Sequence, residues 1–174
     1  MKIILENIGR RFNREWIFRE ISYTFQQDES YAILGANGSG KSTLLQVLAG
    51  SLTPSEGTVQ YQQEDQKLDI ETVFNHLSLA APYLELIEEF TLPELIEFHF
   101  RFKSYRDSLN ALQVIELLGL ERSQNKAIKH FSSGMKQRTR LALAFCSDTP
   151  VRFLDGPTSN LDISGVAWYQ SLVD

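Results

Sequence analysis

The sequence has one cysteine, few prolines and glycines, and no excess of basic residues. A lone Cys146 cannot form an internal disulfide, and its apolar surroundings favour a small core residue in a reducing compartment. The 5 prolines and 10 glycines exclude a collagen-like or low-complexity chain. The 17 basic residues against 22 acidic ones give a net charge of −5, which excludes the basic excess of a dedicated nucleic-acid binder. We therefore expect no nucleic-acid partner.

Long hydrophobic runs are also missing. The longest one, Leu141 to Cys146, is far shorter than the roughly 20 residues that a membrane-spanning helix needs. The chain has 174 residues, against a typical domain of about 150. These features predict a single domain over residues 1–174, located in the cytoplasm.

The first half of the chain is predicted to form strands, a glycine loop and a helix. Alternating apolar and polar residues predict half-buried strands near residues 2–8 and 17–25. The apolar run Tyr31–Leu34 is typical of a buried parallel strand, because it is short, continuous and followed by glycines. Leucines at helical spacing from Leu44 then predict a helix that ends near Gly50.

The rest of the chain is predicted to form a further strand and then a helical insert. Residues 58–61 favour a strand, and 62–69 a loop or hairpin tip. Thr91 and Glu94 form a capping-box pattern for one helix, and a second helix is predicted from about Arg106 to Gly119. Two helices without an intervening strand indicate an insert at about 83–130. Because residues 162–174 show no helix stop, we expect a truncated copy of a longer chain.

Residues Gly35 to Ser42 match the pattern G-x-x-x-x-G-K-[ST] in full, between the predicted strand and helix. In this Walker A motif, glycines let backbone N–H groups approach phosphates at a helix N-terminus. Lys41 would reach the β- and γ-phosphates, and the Ser42 hydroxyl would hold Mg²⁺. The alternative is a glycine-rich turn at a sheet edge.

A carboxylate for the metal is expected at the end of a neighbouring buried strand. Asp155 directly follows the apolar run Val151–Leu154 and is the candidate. Taken alone, this pattern also fits a solvated loop aspartate, so the flanking residues decide between the two.

The flanking motifs give the chain a resemblance to a known family. The segment Phe131–Arg138 precedes the strand, and Pro157–Asp162 follows it. With the phosphate loop, the insert and Asp155, their order resembles the nucleotide-binding subunit of ATP-binding cassette (ABC) transporters. The signature segment looks like that of the exporter-type branch. The resemblance implies an α/β fold: a P-loop NTPase core with a mixed or parallel sheet, an N-terminal antiparallel part and a helical insert. The C-terminal end would be incomplete.

The resemblance also implies site residues. Ser132, Ser133 and Gly134 would open a helix whose N-terminus binds the γ-phosphate of ATP held by another subunit. Ser132 would serve as an ordinary N-cap at the same time. Phe12 would stack on adenine, with Trp16 as a second candidate and an ordinary surface aromatic as the alternative. The implied nucleotide-binding residues are Phe12, Gly35, Asn37, Gly38, Ser39, Gly40, Lys41, Ser42, Thr43, Ser132, Ser133 and Gly134. Lys41 and Asp155 would be catalytic, and Ser42 and Asp155 would bind the metal.

The implied activity is ATP hydrolysis coupled to transport, with ATP and Mg²⁺ as cofactors. The implied partners are a second nucleotide-binding domain, in a homodimer or a heterodimer, and a separate transmembrane permease subunit. Such a subunit would be peripheral on the cytoplasmic face of the membrane.

Three positions depart from the family pattern. Gly156 stands where the family usually places a glutamate that polarises the attacking water. No glutamine lies at residues 81–83, where the family's Q-loop residue is expected, although Glu85 is close in sequence. The histidines at positions 76, 99 and 130 all precede Asp155, so none matches the family's switch histidine.

These departures leave an alternative function of another class. A nucleotide-binding switch that binds ATP without hydrolysing it would need every motif except the missing glutamate. A signalling GTPase is excluded, because the nearest match to its N-K-x-D guanine motif, at Asn125, has Ile128 in place of the aspartate.

Overall fold

A computed structural model describes residues 1–64 and 66–173. The chain forms two compact units, the first over residues 1–77 and the second from Ser78 onward. Asp65, in the predicted 62–69 loop, and Asp174, the end of the predicted domain, lie outside the described residues. The assignment of residues 1–174 to a single domain stays a prediction.

The first unit contains an antiparallel four-stranded sheet in the order β2-β1-β3-β4. Its strands are β1 (Lys2–Phe12), β2 (Glu15–Phe25), β3 (Glu56–Gln63) and β4 (Gln66–Leu68). In the central strand, Ile3 and Leu5 are buried, as period-two alternation requires. The predicted strands are therefore confirmed, and each is longer than its sequence pattern indicated.

Helix α1 (Lys41–Leu48) follows the glycine loop, as predicted. The prediction of a buried strand at Tyr31–Leu34 is wrong: these residues belong to neither sheet, and 89% of Leu34 is exposed. A strand depends on ladder hydrogen bonds to a neighbour, and an apolar run by itself cannot supply that neighbour.

In the second unit, two strands pair, and the described residues also form four helices. The strands are β5 (Leu77–Ala80), which begins at the unit boundary, and β6 (Val151–Leu154). The helices are α2 (Leu92–His99), α3 (Ala111–Leu118), α4 (Ser133–Cys146) and α5 (Ile163–Val173). Short 3₁₀ turns lie at Arg106–Ser108, Glu121–Ser123 and Ile128–His130, and one at Val73–His76 belongs to the first unit.

Capping side chains set the starts of the two insert helices. At α2, the backbone N–H and the hydroxyl of Thr91 both donate to Glu94 Oε2, at 2.7 Å each, which confirms the predicted capping box. Helix α3 begins later than predicted, because Asn110 caps it by accepting from the Gln113 N–H at 3.2 Å. Asp107, with φ at 52°, lies inside the preceding 3₁₀ turn and interrupts its helical geometry.

The helical insert shares a hydrophobic core with α4. Its fully or nearly buried members are Leu92, Leu95, Ile96, Val114, Ile115, Leu118, Leu120, Ile128, Phe131, Ala142, Leu143 and Cys146. Burial raises the pKa of the Cys146 thiol to about 11, which fits the predicted role of a small core residue. Within the described residues, every helix is too short or too polar to span a bilayer.

Candidate nucleotide-binding site

The phosphate loop of the first unit is an exposed backbone arch that leads into α1. Gly38 and Gly40 have φ angles of 81° and 90°, and Gly40 is the N-cap of the helix. A Cβ at Gly40 would collide with Ile17 Cγ2, so only glycine fits there. The first turn of α1 carries no acidic residue, so its N–H groups remain available to an anion.

Lys41 folds back over this loop. Its Nζ donates to the carbonyl oxygens of Gly35 at 2.9 Å and Ala36 at 2.8 Å. Ser42 and Thr43 follow it in the first turn of the helix. The structure thus brings the predicted residues 35–43 together around one helix N-terminus.

Phe12 lies at the end of β1 with 45% of its surface exposed. The Arg10 guanidinium carbon is 4.5 Å from its ring centroid, a cation–π contact that sequence reasoning missed. The sequence could have indicated this contact, because side chains alternate along a strand and Arg10 and Phe12, two residues apart, lie on the same face. Trp16 is in contact with two guanidinium groups, those of Arg11 and Arg19, so Phe12 is the better candidate for a base.

In the second unit, the predicted signature residues form the N-terminus of α4. Ser132 is the N-cap, and its hydroxyl accepts from the Met135 N–H at 3.2 Å, as expected. Ser133 and Gly134 begin the helix, and its first turn carries no acidic residue. Their N–H groups have no partner within the helix, which makes this end suitable for an anion.

Asp155 follows β6 directly and begins a loop, residues 155–162, that we call the post-strand loop. The Asp155 N–H donates to the Ala80 carbonyl of β5 at 2.9 Å, which fixes the backbone there. Next to it, Gly156 has a φ of 50°, and the Ser159 N–H donates to its carbonyl at 2.9 Å. A Cβ at Gly156 would lie 2.8 Å from Ser159 Oγ. The glycine therefore belongs to a tight turn.

The residues predicted to bind Mg²⁺ have suitable donor atoms. Ser42 offers a hydroxyl and Asp155 a carboxylate, and Mg²⁺ prefers hard oxygen ligands. Within the described parts of the chain, neither side chain is held by a hydrogen bond or an ion pair. Ser42 lies in the first unit and Asp155 in the second.

The residues considered for the missing Q-loop glutamine and switch histidine are either exposed or packed inside the fold. Glu85 is exposed, as are His130, Pro82 and Tyr83, whereas Ala81 is fully buried. His99 packs inside the second unit, with Nε2 3.0 Å from Ser147 Oγ, and burial lowers its pKa to about 4. This histidine is therefore a packing residue.

Comparison with known proteins identifies the family. A family model described as ABC transporter matches residues 18–159. HrtA of Staphylococcus aureus (strain MRSA252), an ATP-binding protein named for hemin import, is 32% identical over 93% of this chain and 76% of its own. YybJ of Bacillus subtilis (strain 168), an ABC transporter ATP-binding protein, is 29% identical over 96% of this chain and 76% of its own.

A solved structure shows the same fold. The ATP-binding cassette MJ0796, described as dimeric and bound to ADP and Pi after hydrolysis, has a TM-score of 0.83. It is 25% identical, and the match covers 98% of this chain and 81% of that one. The predicted fold class is confirmed: an α/β P-loop NTPase core with an antiparallel N-terminal sheet and a helical insert. The chain belongs to the ABC transporter family, as one of its ATP-binding proteins.

Proposed function

We propose that this chain is the ATPase subunit of an ABC transporter, which couples ATP binding and hydrolysis to transport through a separate membrane subunit. The observation that supports it most is the complete phosphate loop, with Lys41 held directly over it at the N-terminus of α1. A plain glycine-rich turn would not need a lysine that donates to two of its own carbonyl oxygens.

In this proposal the phosphate loop holds the triphosphate. The α1 N–H groups and the Lys41 ammonium neutralise phosphate charge, and Phe12 stacks on the adenine. Ser42 and Asp155 would each offer an oxygen ligand to Mg²⁺, and the ion would supply positive charge against the phosphates. The exposed Phe12 ring and the unpaired oxygens support these roles.

A second copy, or a related chain, would complete each site. The N-terminus of α4 in one copy would bind the γ-phosphate of ATP held by its partner. Two features support this: Ser132 and Ser133 at the helix end are exposed, with the Ser133 and Gly134 N–H groups left without a partner in the helix, and the first turn carries no acidic residue. MJ0796, which shares the fold, is described as dimeric.

The membrane subunit would dock on the helical insert. An apolar groove of the second unit is lined by Leu86, Ile87, Leu95, Phe98 and Phe102. Phe102 is 64% exposed, which is unusual for a large aromatic side chain unless a partner protein covers it. This docking would place the chain on the cytoplasmic face of the membrane.

One observation keeps the non-hydrolysing switch as a second candidate. Gly156 has no side chain to orient water, and its φ of 50° disfavours any other residue there. The switch and the ATPase share the same nucleotide site and differ only in turnover.

Titration calorimetry of Mg-ATP on wild type and Lys41→Ala tests the proposal. Because Lys41 supplies a charge-assisted hydrogen bond to phosphate, we expect a loss of about tenfold or more in affinity. The exposed lysine variant Lys126→Ala is the matched control and should bind like wild type. Equal ATP affinity in Lys41→Ala and wild type would contradict the phosphate-loop assignment.

A further inference from the structure

The N-terminal half of α4 is tied to the post-strand loop of the same chain. Gln137 is fully buried, and its Nε2 donates to the Pro157 carbonyl at 3.1 Å. The two residues are 20 positions apart, and the strand β6 lies between them. This bond is therefore a tertiary contact that joins two separate segments.

A close backbone approach adds a second contact between the same segments. A Cβ built on Gly134 would lie 3.0 Å from the Asn160 carbonyl oxygen, tighter than ordinary packing allows. A bulkier residue would push the loop away from the helix. The first and second turns of α4 thus both lie against the loop, through Gly134 and Gln137.

Packing stability alone does not explain a glutamine at position 137. Its Oε1 is buried without a hydrogen-bond partner in the described residues. A buried acceptor left unpaired destabilises the folded state, whereas an apolar side chain of the same length would avoid that cost. The best explanation for an amide at this position is therefore the hydrogen bond that its N–H group donates to the Pro157 carbonyl.

We propose that Gln137 is a positioning residue that locks the post-strand loop onto the N-terminus of α4. The consequence rests on the proposed function: the γ-phosphate-binding turn and the loop after Asp155 would meet a partner copy as one rigid face. Ser133 lies one helical turn from Gln137, so a displacement of the loop would reach the phosphate-binding end within one turn.

Hydrogen exchange of the nucleotide-free chain tests the lock without assuming any function. The Ser159 and Leu161 N–H groups, bonded to the Gly156 and Thr158 carbonyls, are the reporters. In Gln137→Met, which keeps side-chain length but loses the donor, we expect their exchange to rise about fivefold, the effect of one net hydrogen bond. The melting temperature should stay the same or rise, because the unpaired Oε1 is removed.

The matched control is Thr139→Val. Thr139 is also fully buried on α4, but its hydroxyl donates within the helix, to the Met135 carbonyl at 2.9 Å. It should leave Ser159 and Leu161 exchange unchanged. A second variant, Gly134→Ala, should speed exchange at both amides by pushing Asn160 away. Unchanged exchange in Gln137→Met, or an equal rise in Thr139→Val, would overturn the lock.

A second measurement tests positioning for the partner copy. Gln137→Met should bind Mg-ATP like wild type in calorimetry but need several-fold more protein to associate in the presence of a non-hydrolysable ATP analogue. Equal association of Gln137→Met and wild type would overturn the positioning role. If wild type itself does not associate, the proposed dimer fails, while the exchange data still decide whether the lock exists.

Discussion

Replacing Gly156 by glutamate distinguishes the ATPase from the non-hydrolysing switch. The structure allows the accompanying loss of folding stability to be estimated. At a φ of 50°, a non-glycine residue costs roughly 1–2 kcal/mol. The new Cβ would also lie 2.8 Å from Ser159 Oγ, a contact that rotation of the serine side chain about χ1 can relieve. For a chain of this size, that strain lowers the melting temperature by about 2–8 °C.

The same substitution should also raise the rate of hydrolysis. A carboxylate that orients the attacking water contributes about 10²–10⁴-fold in rate, or roughly 3–5 kcal/mol of barrier. Because the strain is small beside a typical folding stability of about 5–15 kcal/mol, the variant Gly156→Glu should stay folded, and it should hydrolyse ATP faster than wild type. Adding Ser159→Ala should recover part of the lost melting temperature, because the close contact is removed.

The assay is phosphate release at saturating Mg-ATP, with a thermal melt of each variant. The matched control is Gly156→Gln, which carries the same backbone strain without a carboxylate and should lose stability without gaining rate. If wild type, Gly156→Glu and Gly156→Gln all bind ATP and turn over at one rate, position 156 does not limit hydrolysis and our reasoning fails.

Three further predictions test other parts of the molecule. Phe12→Ala should weaken ATP about tenfold but leave inorganic triphosphate unchanged in calorimetry, since only ATP has a base to stack; equal losses would remove Phe12 from the site. Ser133→Arg should abolish the ATP-dependent rise in mass seen by light scattering, because its side chain fills the α4 terminus; a persisting rise would refute the dimer. The pKa of His99 is lowered from 6.5 to about 4, so the unfolded chain binds more protons between these values. The free energy of unfolding should fall by up to about 3 kcal/mol from pH 6.5 to 4, and urea melts of His99→Gln should show a smaller fall.

Local signals in the sequence predicted most of the elements correctly. The Thr91 and Glu94 pair marked the start of α2 because a capping box is complete within four residues. The same kind of signal was present at Asn110 and Gln113, and would have corrected the predicted start of α3. Such capping hydrogen bonds can be predicted from a sequence because both partners lie within four consecutive residues.

Long-range contacts explain what the sequence could not show. The run Tyr31–Leu34 has the composition of a buried strand, but pairing depends on residues far away in the chain. Likewise, nothing near Gln137 indicates that its amide reaches Pro157. The phosphate loop was predictable because its function depends on consecutive residues, whereas the Gln137 contact depends on the fold.

The contact of Lys41 with its own loop changes what a lysine variant measures. The ammonium donates to two carbonyl oxygens, those of Gly35 and Ala36, and in the proposed complex with ATP it would exchange them for phosphate oxygens. Removing the side chain therefore destabilises the empty loop as well as the occupied one, and the two losses partly cancel in the measured affinity. The affinity change is thus a lower bound on the lysine–phosphate interaction, and the remainder should appear as a less ordered loop in the nucleotide-free variant.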